Sequence, residues 1–162
     1  MKTNGRSHGL VIWLLAGTLL LDQTSKQLAR QAVPLSYLDG FVQIVHVQNT
    51  GAFLSLGADL RESLRFWVLT VAVAAFLAFA LVSLLRPNKR SKAVTVGLTL
   101  LVAGGIGNLI DRIALGSVTD FLRLGVGPVR TGIFNVADVA IVAGVLAMLI
   151  SSRSRTPVGK SR

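Results

Sequence analysis

The chain has 162 residues, is 52% hydrophobic but only 15% charged, and carries a formal net charge of +10 with no cysteine. A soluble domain of this length has about 25% charged residues; here the apolar residues are bunched into long runs, which points to a polytopic membrane protein. The absence of cysteine excludes disulfides, thiolate metal sites and a Cys nucleophile.

The first apolar run, 10–21, is short for a bilayer, which needs about 20 residues. The stretch "DQTSKQLA" (22–29) completes it if the polar residues share one helix face. Asp22, Ser25 and Lys26 are spaced i, i+3, i+4, so they can. A basic start followed by a short apolar run also fits a cleaved signal peptide, but no small-x-small site follows "LLLDQ", which favours an uncleaved anchor. Beyond it, "FVQIVHV" (41–47) is rich in β-branched residues and bounded by turn residues, which predicts a strand. Residues 58–66, "ADLRESLRF", predict a short surface helix capped by Asp59. The second and third spans run over about 66–85 and 93–110. Residues 116–125, "GSVTDFLRLG", alternate like a strand between glycines, and the fourth span covers about 134–150.

Charge sorts these spans. Ten of the 17 basic residues lie in the N-terminal tail, the 86–92 loop and the C-terminal tail, where there is no acid. The other seven are matched by all seven Asp and Glu. By the positive-inside rule, both tails and the 86–92 loop are cytoplasmic, and residues 31–65 and 113–133 face outward. No aromatic or base-reading pattern accompanies the charge, which argues against nucleic acid. The expected fold is therefore a single, mainly α, integral-membrane domain over 1–162. It has four transmembrane helices, a small β-rich extracytoplasmic cap and a short surface helix.

The polar residues of the spans gather at their outward ends. Asp22, Ser25 and Lys26 close the first span. Asn108, Asp111 and Arg112 close the third on one face. Asn135 and Asp138 open the fourth at i, i+3, and Asp120 lies in the strand-like segment between. Ionisable residues inside a span are costly, roughly 2.5–3.5 kcal/mol at its centre on insertion scales, and mark functional sites by default. Each also has a plainer reading. Asp22 and Lys26 form a favourable i,i+4 pair. Arg112 can snorkel to headgroups. Asn108 and Asn135 can be interhelical glue, and Gly104, Gly105 and Gly107 suit close packing better than a phosphate cradle. His46 reads as a strand-face residue; with only His8 elsewhere, a His-based metal site is not expected.

Asp120 and Asp138 differ from the other acids because neither has an obvious local base. Arg123, at i+3 from Asp120, points to the opposite face of a strand. Asp138 sits in the first turns of its helix, where the dipole tolerates an anion. Two such carboxylates can share one proton, one acting as base toward water while the other protonates a carbonyl oxygen.

In this order, "DQTSK" (22–26), "NTGAFLS" (49–55), "GGIGNLIDR" (104–112), "GSVTDF" (116–121) and "FNVAD" (134–138) resemble the five motifs of the lipoprotein signal peptidases, or signal peptidase II. The resemblance covers almost the whole chain. It implies a bacterial inner-membrane aspartic endopeptidase that removes the signal peptide from diacylglyceryl-modified prolipoproteins, cutting just before the lipidated Cys. It implies Asp120 and Asp138 as the catalytic pair. The supporting and substrate-binding residues are implied to be Asp22, Lys26, Asn49, Gly51, Asn108, Arg112, Asn135 and Ala137. No cofactor or metal is implied. The expected partners are lipidated prolipoproteins and membrane lipids, and the chain is expected to act as a monomer. One departure stands out: the family's Ala-Ala-Phe-Ser run is Ala52, Phe53, Leu54, Ser55 here, with the Phe shifted by one place.

Two rivals differ in mechanism or class. A Ser–Lys hydrolase would need Lys26 as base, because it is the only Lys outside the cytoplasmic segments; Ser25 adjoins it on the wrong face, which leaves Ser55. A proton or ion path would need polar residues continuing toward the cytoplasmic half, where spans two and four are apolar.

Overall fold

The computed structural model describes residues 4–51, 61–86 and 90–153. Helix α1 (Asn4–Gln31) leads into strands β1 (Leu35–Tyr37) and β2 (Val42–Asn49). Helix α2 (Glu62–Leu85) and helix α3 (Lys92–Leu115) come next in the chain. After them stand strands β3 (Val118–Val126) and β4 (Val129–Arg130), and helix α4 (Val136–Arg153) ends the described chain. The architecture is mainly helical with one small antiparallel sheet of order β1-β2-β3-β4.

Helices α2 and α3 are long and apolar enough to cross a bilayer, whereas the apolar stretch Val136–Ser152 of α4 is shorter. Helix α1, with 28 residues, has the length, but its last turns carry Asp22, Lys26 and Arg30. The expected short surface helix is not separate. Among the described residues, the helix starts at Glu62 and runs without a break through a π-helical stretch, Phe66–Ala72, into Val73–Leu85. Asp59, its expected cap, lies outside the described residues. The fourth helix starts two residues later than expected, because Phe134 pairs with Leu122 at the edge of β3 and α4 begins only at Val136.

Helix α3 is the centre of the bundle, packing on α1, α2 and α4. Its buried stripe is small: Gly97, Thr99, Val102, Ala103, Gly104, Gly105 and Gly107, then Asn108 and Asp111. A Cβ on Gly97 would lie 2.6 Å from the Gly144 carbonyl of α4, and one on Gly104 would run into the Ala137 carbonyl. Close backbone approach of this kind is how helices associate where lipid offers no hydrophobic drive. Ser91 caps the start of α3 by accepting the Val94 N–H, and Gly116 ends it in the left-handed region with φ 71°. Large side chains face away from the bundle; Trp13 is 80% and Phe79 72% exposed.

The sheet separates its residues by face. The register pairs Leu35 with Ile44 and Ile44 with Leu122, and likewise Tyr37 with Val42 and Val42 with Leu124. One face is thus apolar, while Ser36, Gln43 and Arg123 line the other. Between Ile44 and Val47 the register slips by one residue. Such a bulge re-aims the side chains beyond it. Here it places Asn49 on the face that carries Asp120; an unbroken ladder would turn Asn49 away.

Candidate active site

The site lies where the ends of α1 and α3, the start of α4 and strands β2 and β3 meet. Asn135 is the first link. Its Oδ1 accepts the Asp138 N–H at 3.0 Å, and Asp138 Oδ2 accepts the Asn135 N–H at 3.3 Å. This reciprocal cap resembles the capping box and holds Asp138 against the first turn of α4. The Asn135 Nδ2 then donates to Asp120 Oδ1 at 2.6 Å, with longer contacts to Asn108 Oδ1 at 3.2 Å and the Thr119 carbonyl at 3.4 Å. One buried asparagine therefore holds both carboxylates.

Each carboxylate has a second donor. Asn49 Nδ2 donates to Asp120 Oδ2 at 2.8 Å, and Asn108 Nδ2 donates to Asp138 Oδ1 at 2.9 Å. Asp120 and Asp138 are both buried. Among the described residues, the ion pairs go to Asp22 and Asp111 and none to this pair. Burial pushes the Asp120 carboxyl up to about 6; the Asn49 hydrogen bond pulls the other way, and the nearby Asp138 charge adds to the rise.

Beneath the pair lies a second cluster. Lys26 Nζ, with 0% of its side chain exposed, reaches Asp22 Oδ2 at 2.9 Å, Asn108 Oδ1 at 2.9 Å and Asp111 Oδ2 at 3.6 Å. Asp22 Oδ1 accepts the Ala137 N–H at 2.9 Å, near the positive end of the α4 dipole. Gly107 makes room for Asp22, since a Cβ there would sit 2.5 Å from its Oδ2. Asp111 accepts the Thr119 N–H at 2.9 Å and pairs with Arg30 at 3.0 Å, fastening α3 and α1 to the start of β3. Arg112 stands apart. It donates to the Gly51 carbonyl at 3.0 Å, the Gly51 N–H donates to Asn49 Oδ1 at 2.9 Å, and Asp138, Asp120 and Asp111 lie within its electrostatic reach.

Two apolar cavities meet at this place. One of about 530 Å³ is lined by Thr131, Phe134, Val139 and Leu146, the other of about 360 Å³ by Leu69, Val73, Asn108 and Arg112. Asp138 and Val142, one turn apart on α4, wall both. The π-helical stretch of α2 supplies Leu69, and π-turns are frequent at functional sites.

The structure thus gathers all ten residues singled out in the sequence. Asp120, Asp138, Asn49, Asn108 and Asn135 form the upper network; Asp22, Lys26 and Ala137 form the lower one; Gly51 and Arg112 hold the start of the segment after β2. Arg30, Thr119 and Gln23, whose Nε2 donates to Asp22 and to the Gly107 carbonyl, went unassigned, as did the role of Asp111. Arg30 falls one turn beyond Lys26 on the same helix face, a signal the spacing contained. His46 is exposed on β2 against Gln48. The glycines of α3 pack against α4, Leu77 and Asp22. Residues 52–55, with the shifted Phe and Ser55, lie outside the described residues.

The model of the family described as signal peptidase (SPase) II matches residues 14–153. A lipoprotein signal peptidase of Enterococcus faecalis is 38% identical over 147 residues, covering 87% of this chain and 87% of the relative. Those of Streptococcus pneumoniae and Geobacter sulfurreducens are 36% and 35% identical; the first covers 88% of this chain and 89% of its own, the second 93% of each. Among solved structures, a bacterial membrane enzyme determined by the in meso method at 1.9 Å superposes with a TM-score of 0.77 at 24% identity, over 91% of this chain and 95% of its own. A second, at 2.3 Å, gives 0.76 at 23% identity over 95% of each. The solved structures speak for the fold alone, whereas the family model and the relatives decide kinship: this chain belongs to the signal peptidase II family of peptidases.

Proposed function

We propose that the protein is an aspartic endopeptidase that removes the signal peptide from diacylglyceryl-modified prolipoproteins, cutting just before the lipidated Cys, with Asp120 and Asp138 as its catalytic pair. The observation that carries this reading is the pair itself. Two buried carboxylates are held by one asparagine, receive only N–H donors, have no ion-pair partner among the described residues, and adjoin two apolar cavities. Such a pair holds one proton between its members. The ionised member takes a proton from a water, whose oxygen attacks the scissile carbonyl carbon. The protonated member gives its proton to the carbonyl oxygen. Collapse of the tetrahedral intermediate breaks the C–N bond: the proton taken from water passes to the departing amine, and the member that protonated the carbonyl oxygen takes a proton back from the intermediate. The names carried by the relatives support the substrate.

The setting is a bilayer. All four helices span it, both termini and the 86–92 loop are cytoplasmic, and the sheet lies at the extracytoplasmic surface with its apolar face toward lipid. The distribution of the ten unmatched basic residues supports this orientation. The host is the bacterial inner membrane, the chain is one domain acting as a monomer, and the acyl chains of substrate lie in the apolar cavities. Arg112, donating to the Gly51 carbonyl, ties the end of β2 to the site. The chain has no native thiol, so Lys89→Cys can be labelled alone. An impermeant reagent added outside intact cells is expected to miss it, and labelling there would overturn the orientation.

A Ser–Lys mechanism fares worse. Lys26 is sealed by three oxygens, and Ser25 Oγ donates to the Asp22 carbonyl at 2.9 Å. The test of the proposed function is incubation of the purified protein with a diacylglyceryl-modified precursor and with the same precursor unlipidated. Each buried CH₂ contributes about 0.8 kcal/mol to holding a lipid chain. Signal peptide release from the lipidated form, and far slower release from the other, is expected. Equal turnover of both would remove the lipid from the reading.

A further inference from the structure

Three side-chain amides touch the paired carboxylates, and an amide offers a donor or an acceptor according to how it is turned. Asn49 is turned by the Gly51 N–H, which donates to its Oδ1, and Asn135 by the Asp138 N–H in the same way. Both are backbone groups and belong to the fold. Asn108 is turned differently, by a side chain: Lys26 Nζ donates to its Oδ1 at 2.9 Å.

An ammonium has three hydrogens and no lone pair, so it can face only the oxygen of an amide. That leaves Asn108 Nδ2 toward Asp138 Oδ1, at 2.9 Å. The lysine has no freedom to do otherwise. It is fully buried, donates to Asp22 and Asn108 at 2.9 Å each, and lies 3.6 Å from the Asp111 carboxylate. The other contact on Asn108 Oδ1 is weaker. Asn135 Nδ2 approaches it at 3.2 Å but shares two hydrogens among three acceptors, of which Asp120 Oδ1 at 2.6 Å is the shortest.

We propose that Lys26 is a positioning residue for the cleavage reaction: acting through Asn108, it fixes the amide so that its NH₂ faces Asp138 and keeps Asp138 Oδ1 an acceptor throughout turnover. This rests on the reading of Asp120 and Asp138 as the catalytic pair. Lys26 itself touches no reacting atom. Without it, only the longer contact from Asn135 holds the amide oxygen, and an amide that turns its carbonyl toward Asp138 repels an ionised carboxylate and misorients the pair.

A double-mutant cycle read in kcat separates this role from a merely structural one. Lys26→Met is expected to lower kcat about 100-fold, the scale of a small misplacement at a reacting centre, with KM little changed and the pH profile of kcat displaced. In an Asn108→Ala background, the same substitution is expected to add little further loss of kcat. Its cost in thermal stability should persist in both backgrounds, because Asp22 and Asp111 lose the Lys26 charge in each. Equal fold-losses of kcat in both backgrounds would overturn the proposal. Lys26→Arg keeps a donor-only group and is expected to retain more turnover than Lys26→Met; the reverse order would also overturn it. If Lys26→Met does not fold, Asn108→Asp serves, since it keeps an oxygen for Lys26 and replaces the NH₂ facing Asp138. Loss of kcat on the same scale in a folded Asn108→Asp protein is expected, and wild-type kcat would contradict the proposal. Asp138→Asn is run alongside. Turnover surviving in that variant would sink the aspartic reading itself, whereas its loss together with additive effects in the cycle would sink only the role of Lys26.

Discussion

The two ends of the α3–α4 contact are built on opposite principles. At one end, Gly97 and Gly144 bring the backbones together, and beyond them a single side-chain hydrogen bond joins Ser91 and Ser151 at 2.8 Å. At the other, Asn108, Asp111, Asn135 and Asp138 are buried beside Asp22 and Lys26, and among the described residues no buried side-chain nitrogen or oxygen lacks a partner. The first end is held chiefly by close contact, so its demands are mainly on volume. The second is held by donors and acceptors in fixed directions, so its demands are on chemistry, and removing one partner leaves another exposed to a cost. Substitutions at the glycine end should therefore act on stability, and substitutions at the polar end on turnover.

The largest effect should come from the carboxylates. Asp120→Asn and Asp138→Asn each preserve size but remove the proton acceptor, and each is expected to lower kcat by about 10⁴-fold while the protein stays inserted and folded. Quantified signal peptide release, beside a thermal melt, checks both halves of that statement. Substantial turnover in either variant would place the two acids with Asp22 and Asp111 as structural groups.

Next comes the glycine end. Gly97→Leu forces a side chain into the Gly144 carbonyl and Met148. Overpacking of this kind costs about 1–3 kcal/mol. A lowered melting temperature is expected, with the fraction that remains folded cutting at close to the wild-type rate. A specific loss of kcat without loss of stability would blur the contrast between the two ends.

A subtler effect concerns pH. Asp120 has its carboxyl raised to about 6, so the ionised fraction falls as pH drops through that region. With Asp120 as the member that takes the proton from water, the rate should fall with it. The Asn49 hydrogen bond favours the charged form and holds that value down. Asn49→Ala should therefore move the acid limb of the rate profile to higher pH. A limb that stays put, or moves to lower pH, would mean that Asp120 does not govern it. The smallest effect is expected at the lipid-facing surface. Trp13→Ala, at a side chain 80% exposed from the bundle, should change the melting temperature and turnover little.

Much of this contrast is legible in the amino-acid sequence. The i, i+3, i+4 spacing of Asp22, Ser25 and Lys26, and of Asn108, Asp111 and Arg112, fixes which helix faces are polar, because helical geometry is local. The small residues of "GGIG" announce close packing for the same reason. The sheet is harder. Whether Asn49 shares a face with Asp120 depends on one extra residue between Ile44 and Val47, and register is a property of two strands, not of one. β1 and β4, of three and two residues, are too short to show a period. The start of α1 at Asn4 escapes a sequence reading because "NGRSHG" carries no apolar pattern. The partnership of Arg30 with Asp111 and Thr119 joins residues more than 80 positions apart, which only the folded chain brings together.

The central claim is that Asp120 and Asp138 work as one unit. Single-turnover cleavage of a lipidated precursor by Asp120→Asn, Asp138→Asn and the double variant tests it most directly. Two residues that share one proton lose their function together, so the double variant should be scarcely slower than either single one. Losses that multiply, with each single variant keeping a measurable rate and the double variant slower by the product of the two, would show two independent contributions and contradict the account.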